Sequence, residues 1–163
     1  MGAMKTLYLV RHAKASWEDN VHDWERQLTE AGVERAHIVA KALKVRKVKP
    51  EKIISSYAFR ALNTAVLFAL DLKYTITSIE LSQQVYEKRA IDMLDMLRKQ
   101  DDRHSSIMLV GHDPSMTELY NLLTKKLLLK FTTASTACIE FSTDKWKDLG
   151  SKPGKSVFIE SGK

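Results

Sequence analysis

The chain has 163 residues, a net charge of +6 at neutral pH and a single cysteine. One cysteine excludes both an internal disulfide framework and a cysteine-based zinc site. No apolar run is long enough to span a bilayer, and the N-terminus lacks the apolar segment of a secretory signal peptide. We therefore predict a cytoplasmic protein with one domain over 1–163, in which 1–3 are an expression leader.

The positive charge is concentrated in two lysine-rich stretches, 41–52 and 124–130. Clusters of this kind are usually solvated helix faces. Attraction to an acidic partner or to phosphate is the functional alternative. Nucleic acid is a less favoured partner, because no aromatic residues alternate with these lysines to stack on bases.

Strand-like and helix-like segments alternate along the chain, as judged from the spacing of apolar residues. Thr29 is a suitable N-cap for the first helix, and Asp113 followed by Pro114 marks the start of the last one. The predicted strands cover 5–10, 51–56, 76–81, 105–112, 135–142 and 155–161, and the predicted helices cover 28–45, 57–70, 83–100 and 113–124.

This alternation predicts an α/β fold, a three-layer α/β/α sandwich with a mainly parallel central sheet and one antiparallel edge strand. In such sheets, ligands bind beyond the carboxyl ends of the strands. Three strand ends carry residues that could bind or attack an anion: Arg11 with His12, Arg60, and His112. We expect these four residues to meet at one edge of the sheet.

Two arginines and two histidines are well suited to bind and attack a phosphoryl group. A guanidinium group binds two phosphate oxygens at once, and the helix starts near Arg60 and His112 add backbone donors. A neutral histidine can attack phosphorus and form a covalent intermediate. Neighbouring arginines lower the pKa of a histidine, whereas a bound phosphate raises it. We expect this site to need neither a metal ion nor a cofactor.

The stretch LVRHAKAS at 9–16 resembles the Arg-His-Gly signature of the histidine phosphatase superfamily, which includes the cofactor-dependent phosphoglycerate mutases. SSYAFRALNTA at 55–65 is similar to the segment of that family with the second phosphate-binding arginine. MLVGHDPSM at 108–116 is similar to its strand with the second histidine, and ERQLTEAGVERA at 25–36 to its first helix start. In length and pattern the chain looks most like the small bacterial phosphohistidine phosphatases of the SixA type.

The resemblance implies that His12 accepts the phosphoryl group. Three further residues would bind that group: Arg11, Arg60 and His112. Phosphate, sulfate and vanadate are then the expected ligands of the site. Ala13 stands where the wider family has glycine, and we expect its methyl group to be tolerated. Gly32 lies inside a helix, where glycine costs up to about 1 kcal/mol, so we expect it to allow a close approach of that helix to the sheet.

The short chain leaves little sequence with which to enclose a substrate. Between 86 and 112 there is room for one helix and one strand, and the loop over 14–28, with Trp17 and Trp24, is the other available wall. We therefore expect an open, shallow site. Such a site suits a phosphorylated side chain on another protein better than a sugar phosphate.

The leaving group decides whether the reaction needs an acid. An alkoxide needs a proton donor, which contributes about 10²–10⁴-fold, whereas imidazole, with a pKa of about 6.5, leaves more easily. Glu87 is the best-placed carboxylate if an acid exists, although it is equally consistent with a surface residue beside Lys88 and Arg89. Asp23 is a poorer candidate.

We therefore predict a metal-independent phosphatase that acts on a phosphohistidine-containing protein, such as a histidine phosphotransfer domain. The reaction would proceed through a covalent intermediate on His12. A small-molecule phosphomonoesterase or mutase of the same fold is an alternative. A phosphate-recognition module without catalysis is another. Neither nucleic acid nor a membrane is an expected partner.

Overall fold

The computed structural model describes residues 3–163 and confirms the predicted alternation of strands and helices. The strands are β1 (Lys5–Arg11), β2 (Lys52–Ser55), β3 (Glu80–Leu81), β4 (Ser106–Gly111), β5 (Thr136–Phe141) and β6 (Lys155–Glu160). The helices are α1 (Glu30–Val45), α2 (Phe59–Leu72), α3 (Ala90–Arg98) and α4 (Ser115–Thr124). Residues 1 and 2 of the predicted leader lie outside the described residues.

The strands form one sheet in the order β3-β2-β4-β1-β5-β6. Strands β1 to β4 are parallel, and β1 and β4 are paired from Thr6 opposite Ser106 to Arg11 opposite Gly111. Strand β5 is antiparallel to both β1 and β6. The predicted mainly parallel sheet with antiparallel pairing at one edge is confirmed, with the antiparallel strand one position inside that edge.

Helices cover both faces of the sheet and give the predicted three layers. On one face, α1 and α2 pack through fully buried residues such as Leu43 and Phe68. On the other face, α3 and α4 pack through residues such as Leu97 and Leu119. Burial of each such side chain contributes about 1.5–3 kcal/mol to the free energy of folding. This packing fixes the helices on the sheet and so holds the strand ends in place. None of the helices within 3–163 is long and apolar enough to cross a membrane.

Helix α1 begins against the loop that follows β1. Thr29 caps the helix, because its Oγ1 accepts the N–H of Gly32 at 2.9 Å. A Cβ atom on Gly32 would lie 2.2 Å from the carbonyl oxygen of Lys14, which accepts the N–H of Thr29 at 3.0 Å. Gly32 therefore allows a close approach, as predicted, but the approach is to the loop after β1 rather than to a strand.

The structure corrects the bounds of several predicted elements, and α2 lies two residues later than predicted at both ends. The helix predicted over 83–100 is present only as α3, because the backbone of Glu87 has a φ of 51°, a left-handed conformation that no helix continues through. The strand predicted over 76–81 is reduced to the two residues of β3. Helix α4 begins at Ser115, with Pro114 rather than the predicted Asp113 in the N-cap position.

Candidate active site

The four predicted residues lie at the carboxyl edge of the sheet. Arg11 ends β1 and His12 follows it, His112 follows β4, and Arg60 lies in the first turn of α2. Because β1 and β4 are neighbouring parallel strands, the N–H of His12 donates to the carbonyl oxygen of Gly111 at 3.0 Å. The ring centres of the two histidines are 5.2 Å apart. The structure therefore brings the four residues together as the sequence predicted.

His12 is a neutral imidazole with one defined unprotonated nitrogen. Its pKa is lowered to about 4, mainly by burial and also by the charges of Arg60 and Arg11, which together outweigh a hydrogen bond to Ala13. Nδ1 lies 2.6 Å from the carbonyl oxygen of Ala13. A carbonyl oxygen only accepts, so Nδ1 carries the hydrogen and Nε2 holds a lone pair. This is the form that a nucleophilic histidine requires.

The guanidinium group of Arg60 is held by the loop between β1 and α1. Its Nη1 donates to the carbonyl oxygen of Asp23 at 2.8 Å, and its Nη2 donates to the Asp23 carboxylate at 2.9 Å. The hydroxyl of Tyr86 donates to the same carboxylate at 2.7 Å. Burial raises the pKa of Asp23, but these hydrogen bonds and the charge of Arg60 outweigh it and lower the pKa to about 2. Asp23 is therefore an anion at neutral pH that orients Arg60.

His112 has a ring nitrogen that is free to donate to a ligand. Its Nε2 lies 2.8 Å from Oγ of Ser56, an oxygen that already accepts the N–H of Ala58 at 3.2 Å. The Ser56 hydroxyl can thus donate to Nε2, which leaves the hydrogen on Nδ1. Burial, and then the neighbouring His12 and Arg60, lower the pKa of His112 to about 3. A neutral His112 with its hydrogen on Nδ1 is consistent with a role as donor.

Three buried side-chain nitrogen atoms have no hydrogen-bond partner in the described part of the chain, and all three belong to the cluster: Nε of Arg11, Nε of Arg60 and Nδ1 of His112. Arg11 also donates from Nη1 to the carbonyl oxygen of Phe131 at 2.7 Å. Buried polar groups are rarely unpaired, because each costs about 1–3 kcal/mol. A tetrahedral oxyanion offers several acceptors at once, so the cluster is suited to bind one.

The two carboxylates that the sequence offered as acids have different surroundings. Glu87 is exposed, and within residues 3–163 it forms no hydrogen bond or ion pair. Asp23, which the sequence ranked below it, is bonded to Arg60 and Tyr86. No group of three or more His, Cys, Asp or Glu side chains among the described residues could hold a metal ion. The carboxylate connected to the cluster is therefore Asp23.

The loop over 14–28 forms one wall of the site, as predicted. Trp24 packs edge-on against Phe59 at the start of α2, with ring centres 5.4 Å apart. Trp17 is 83% exposed, and the guanidinium carbon of Arg26 lies 3.4 Å from its ring centre. This wall carries exposed aromatic surface near the cluster.

Comparisons with known proteins agree with this arrangement. Residues 7–87, about half of the chain, match the family model of the histidine phosphatase superfamily, branch 1. A SixA protein histidine phosphatase solved as a tungstate complex is 21% identical, covers 96% of this chain and 97% of its own, and has a TM-score of 0.83. The chain belongs to the histidine phosphatase superfamily. The resemblance inferred from the sequence is confirmed.

Two further solved structures share the fold of this superfamily. A candidate SixA phosphohistidine phosphatase from Agrobacterium tumefaciens is 26% identical, with a TM-score of 0.78 and coverage of 95% of this chain and 96% of that one. A mycobacterial glucosyl-3-phosphoglycerate phosphatase in complex with VO3 is 16% identical, with a TM-score of 0.69 and coverage of 96% and 99%. The fold is thus common to proteins named for protein and for small-molecule substrates.

Ala13, the departure from the superfamily signature, is accommodated by the core. It is fully buried among the apolar residues that α1 and α2 contribute. Its N–H donates to Oγ1 of Thr64 at 2.9 Å, and that hydroxyl donates to the carbonyl oxygen of Arg60 at 2.7 Å. Thr64 therefore links the segment after β1 to the first turn of α2.

Sequence reasoning missed three residues that position the cluster: Ser56, Thr64 and Tyr86. Thr64 lies four residues after Arg60 on the same helix face, and Ser56 directly follows β2, so their sequence positions could have indicated both. Tyr86 is 63 residues from Asp23, and nothing in the sequence indicates their contact.

Proposed function

We propose that the chain is a phosphohistidine phosphatase, which removes phosphate from a phosphohistidine-containing protein through an intermediate on His12. One observation carries this proposal. His12, which has an unprotonated nitrogen, lies with its ring centre 5.2 Å from that of His112 and close enough to Arg60 and Arg11 for their charges to lower its pKa. Each of these three neighbours has a buried nitrogen without a partner among the described residues. The relatives solved with tungstate and with VO3 bind oxyanions that resemble phosphate, which supports a phosphoryl group as the ligand here.

The proposed reaction has two steps. In the first, the Nε2 lone pair of His12 attacks phosphorus, a new P–N bond forms, and the P–N bond to the substrate imidazole breaks. The substrate nitrogen takes a proton from solvent. In the second, water attacks the phosphoryl group on His12, and orthophosphate and neutral His12 result. Arg11, Arg60 and His112 stabilise the negative charge on the phosphoryl oxygens in both steps.

The carboxylates favour phosphohistidine over a phosphate ester as substrate. Asp23, the carboxylate bonded to the cluster, has a pKa of about 2 and is ionised at neutral pH, so it is poorly suited to protonate an alkoxide. Glu87 is exposed and unbonded within 3–163. Imidazole, whose conjugate acid has a pKa of about 6.5, leaves without a strong acid. Because the first step exchanges one P–N bond for another, its reaction free energy is also close to zero.

A small-molecule phosphomonoesterase is the second candidate. It is favoured by the fold shared with a glucosyl-3-phosphoglycerate phosphatase and with a phosphoglycerate mutase from Bacillus anthracis. A panel of histidine-phosphorylated proteins and sugar phosphates separates the two functions. Turnover of sugar phosphates without turnover of phosphoproteins would favour this second candidate.

Transfer of ³²P from a histidine-phosphorylated domain tests the intermediate. After rapid alkaline quench, wild type should carry an acid-labile label that His12→Ala lacks. His37→Ala is the matched control, because His37 is bonded to Asp71 between α1 and α2 and should keep the label on His12. An unlabelled wild type, or equal label on His12→Ala, would contradict the mechanism. We expect turnover to persist in EDTA, since the arginines supply the positive charge.

A further inference from the structure

A groove opens beside the cluster, between α4 and the segment that follows it. This Leu127–Lys130 groove has a volume of about 530 Å³ and is also lined by Thr117 and Asn121 of α4. Arg11 lines the same groove and is close enough to His12 to lower its pKa. A molecule bound in the groove would therefore lie next to the phosphoryl site.

Two leucines of this groove are exposed although their backbone is held in place. Leu127 is 85% exposed and Leu129 is 89% exposed, whereas Leu128 between them packs against the core. The side chain of Asn121 fixes the segment by donating to the carbonyl oxygen of Leu128 at 2.9 Å and accepting its N–H at 2.7 Å. A segment that is already ordered loses little conformational freedom on binding, so these leucines are suited to dock a partner.

The rim of the groove is mainly positive. Three exposed lysines surround the leucines: Lys125, Lys126 and Lys130. The negative residues of the lining are Asp113 and Glu118, and the carboxylate of Asp113 accepts hydrogen bonds from the N–H and hydroxyl of Thr117. Glu118 is the exposed negative group that remains. The surface complementary to this groove carries apolar side chains flanked by aspartate or glutamate.

We infer that the Leu127–Lys130 groove docks the protein that carries the phosphorylated side chain. This inference rests on the proposed function and adds to it the surface that selects the substrate protein. The docked protein presents apolar and acidic side chains to the groove while its phosphorylated residue reaches His12. Small phosphorylated molecules reach His12 without contacting Leu127 or Leu129, so the groove discriminates in favour of proteins.

The double variant Leu127→Ser/Leu129→Ser separates docking from chemistry. Its kcat/KM is compared with that of wild type on two substrates. One is free phosphohistidine, and the other is a histidine phosphotransfer domain phosphorylated with phosphoramidate and chosen from a panel because wild type hydrolyses it. For the domain, kcat/KM should fall at least about tenfold, because losing the burial of even one leucine side chain weakens binding by a factor of that order. For phosphohistidine, kcat/KM should stay within about twofold of wild type, since that substrate does not use the groove.

Two further variants sharpen this comparison. Val45→Ser replaces an apolar side chain that is 83% exposed at the end of α1, and it should leave both activities unchanged. Lys125→Glu/Lys126→Glu should lower kcat/KM for the domain and weaken its dependence on salt concentration, because the rim then repels acidic groups.

Each outcome of the comparison has one meaning. Unchanged turnover of the domain by the leucine variant would overturn the docking surface. An equal fall in kcat/KM on both substrates would do the same. So would a wild-type protein that hydrolyses phosphohistidine but none of the domains. A wild-type dimer that the leucine variant abolishes would assign the groove to a second copy of the chain instead. Failure of wild type on phosphohistidine and on every domain would contradict the proposed function itself.

Discussion

Acidification should destabilise the fold through the two histidines of the site. The pKa is about 4 for His12 and about 3 for His112 in the folded protein, against about 6.5 in an unfolded chain. Near pH 5 the unfolded chain therefore binds almost two more protons at these positions than the folded one. Each proton of difference changes the unfolding free energy by about 1.4 kcal/mol per pH unit, so the pair accounts for a loss of about 2–3 kcal/mol per unit.

The sign of this effect is set by the lowered pKa values. The stabilisation is fully present above pH 6.5 and is lost as the pH falls towards 4 and then 3, because protonation is unfavourable in the buried site. Urea unfolding at pH 7, 6 and 5 measures it, with His12→Gln/His112→Gln as the variant and His37→Gln, away from the site, as the control. Wild type and the control should lose stability more steeply than the double variant. Parallel slopes for all three proteins would show that the two histidines are not the cause of the acid destabilisation.

Three substitutions test single contacts. Asp23→Asn should keep turnover of phosphohistidine within about tenfold, because a carboxylate with a pKa of about 2 is not the acid, whereas loss of a general acid would cost about 10²–10⁴-fold. Gly32→Ala should lower the unfolding free energy by about 1–3 kcal/mol, since its Cβ would lie 2.2 Å from the Lys14 carbonyl oxygen. Stabilisation of Gly32→Ala in urea would argue against that contact. Arg60→Lys should weaken inhibition by vanadate about tenfold or more, because an ammonium group lacks the planar fork. Unaltered inhibition would exclude Arg60 as an oxyanion ligand.

The site residues at the strand ends were predictable because they depend on local sequence and on one general rule of topology. A short apolar run ends at Arg11 and His12, and another ends at His112. Once the alternation of strands and helices indicates a parallel sheet, the carboxyl ends of its strands share one edge. No knowledge of side-chain contacts was needed to bring these residues together.

Contacts between distant segments were not predictable in this way. Asp23 is separated by 37 residues from Arg60 and by 63 residues from Tyr86. Apolar periodicity shows which face of an element is buried, but it does not show which loop folds over the edge of the sheet. For the same reason the sequence ranked Glu87 above Asp23, and the helical pattern over 83–100 gave no sign of the left-handed backbone at Glu87.

The order of the elements, the mainly parallel sheet and the four residues that meet at its carboxyl edge could be read from the sequence, because these follow from periodicity and strand ends. The unprotonated nitrogen of His12, the ionised Asp23 bonded to Arg60 and the exposure of two leucines beside the site are known from the folded structure alone. These properties depend on burial and on partners supplied by other parts of the chain, and both arise only when the elements pack together.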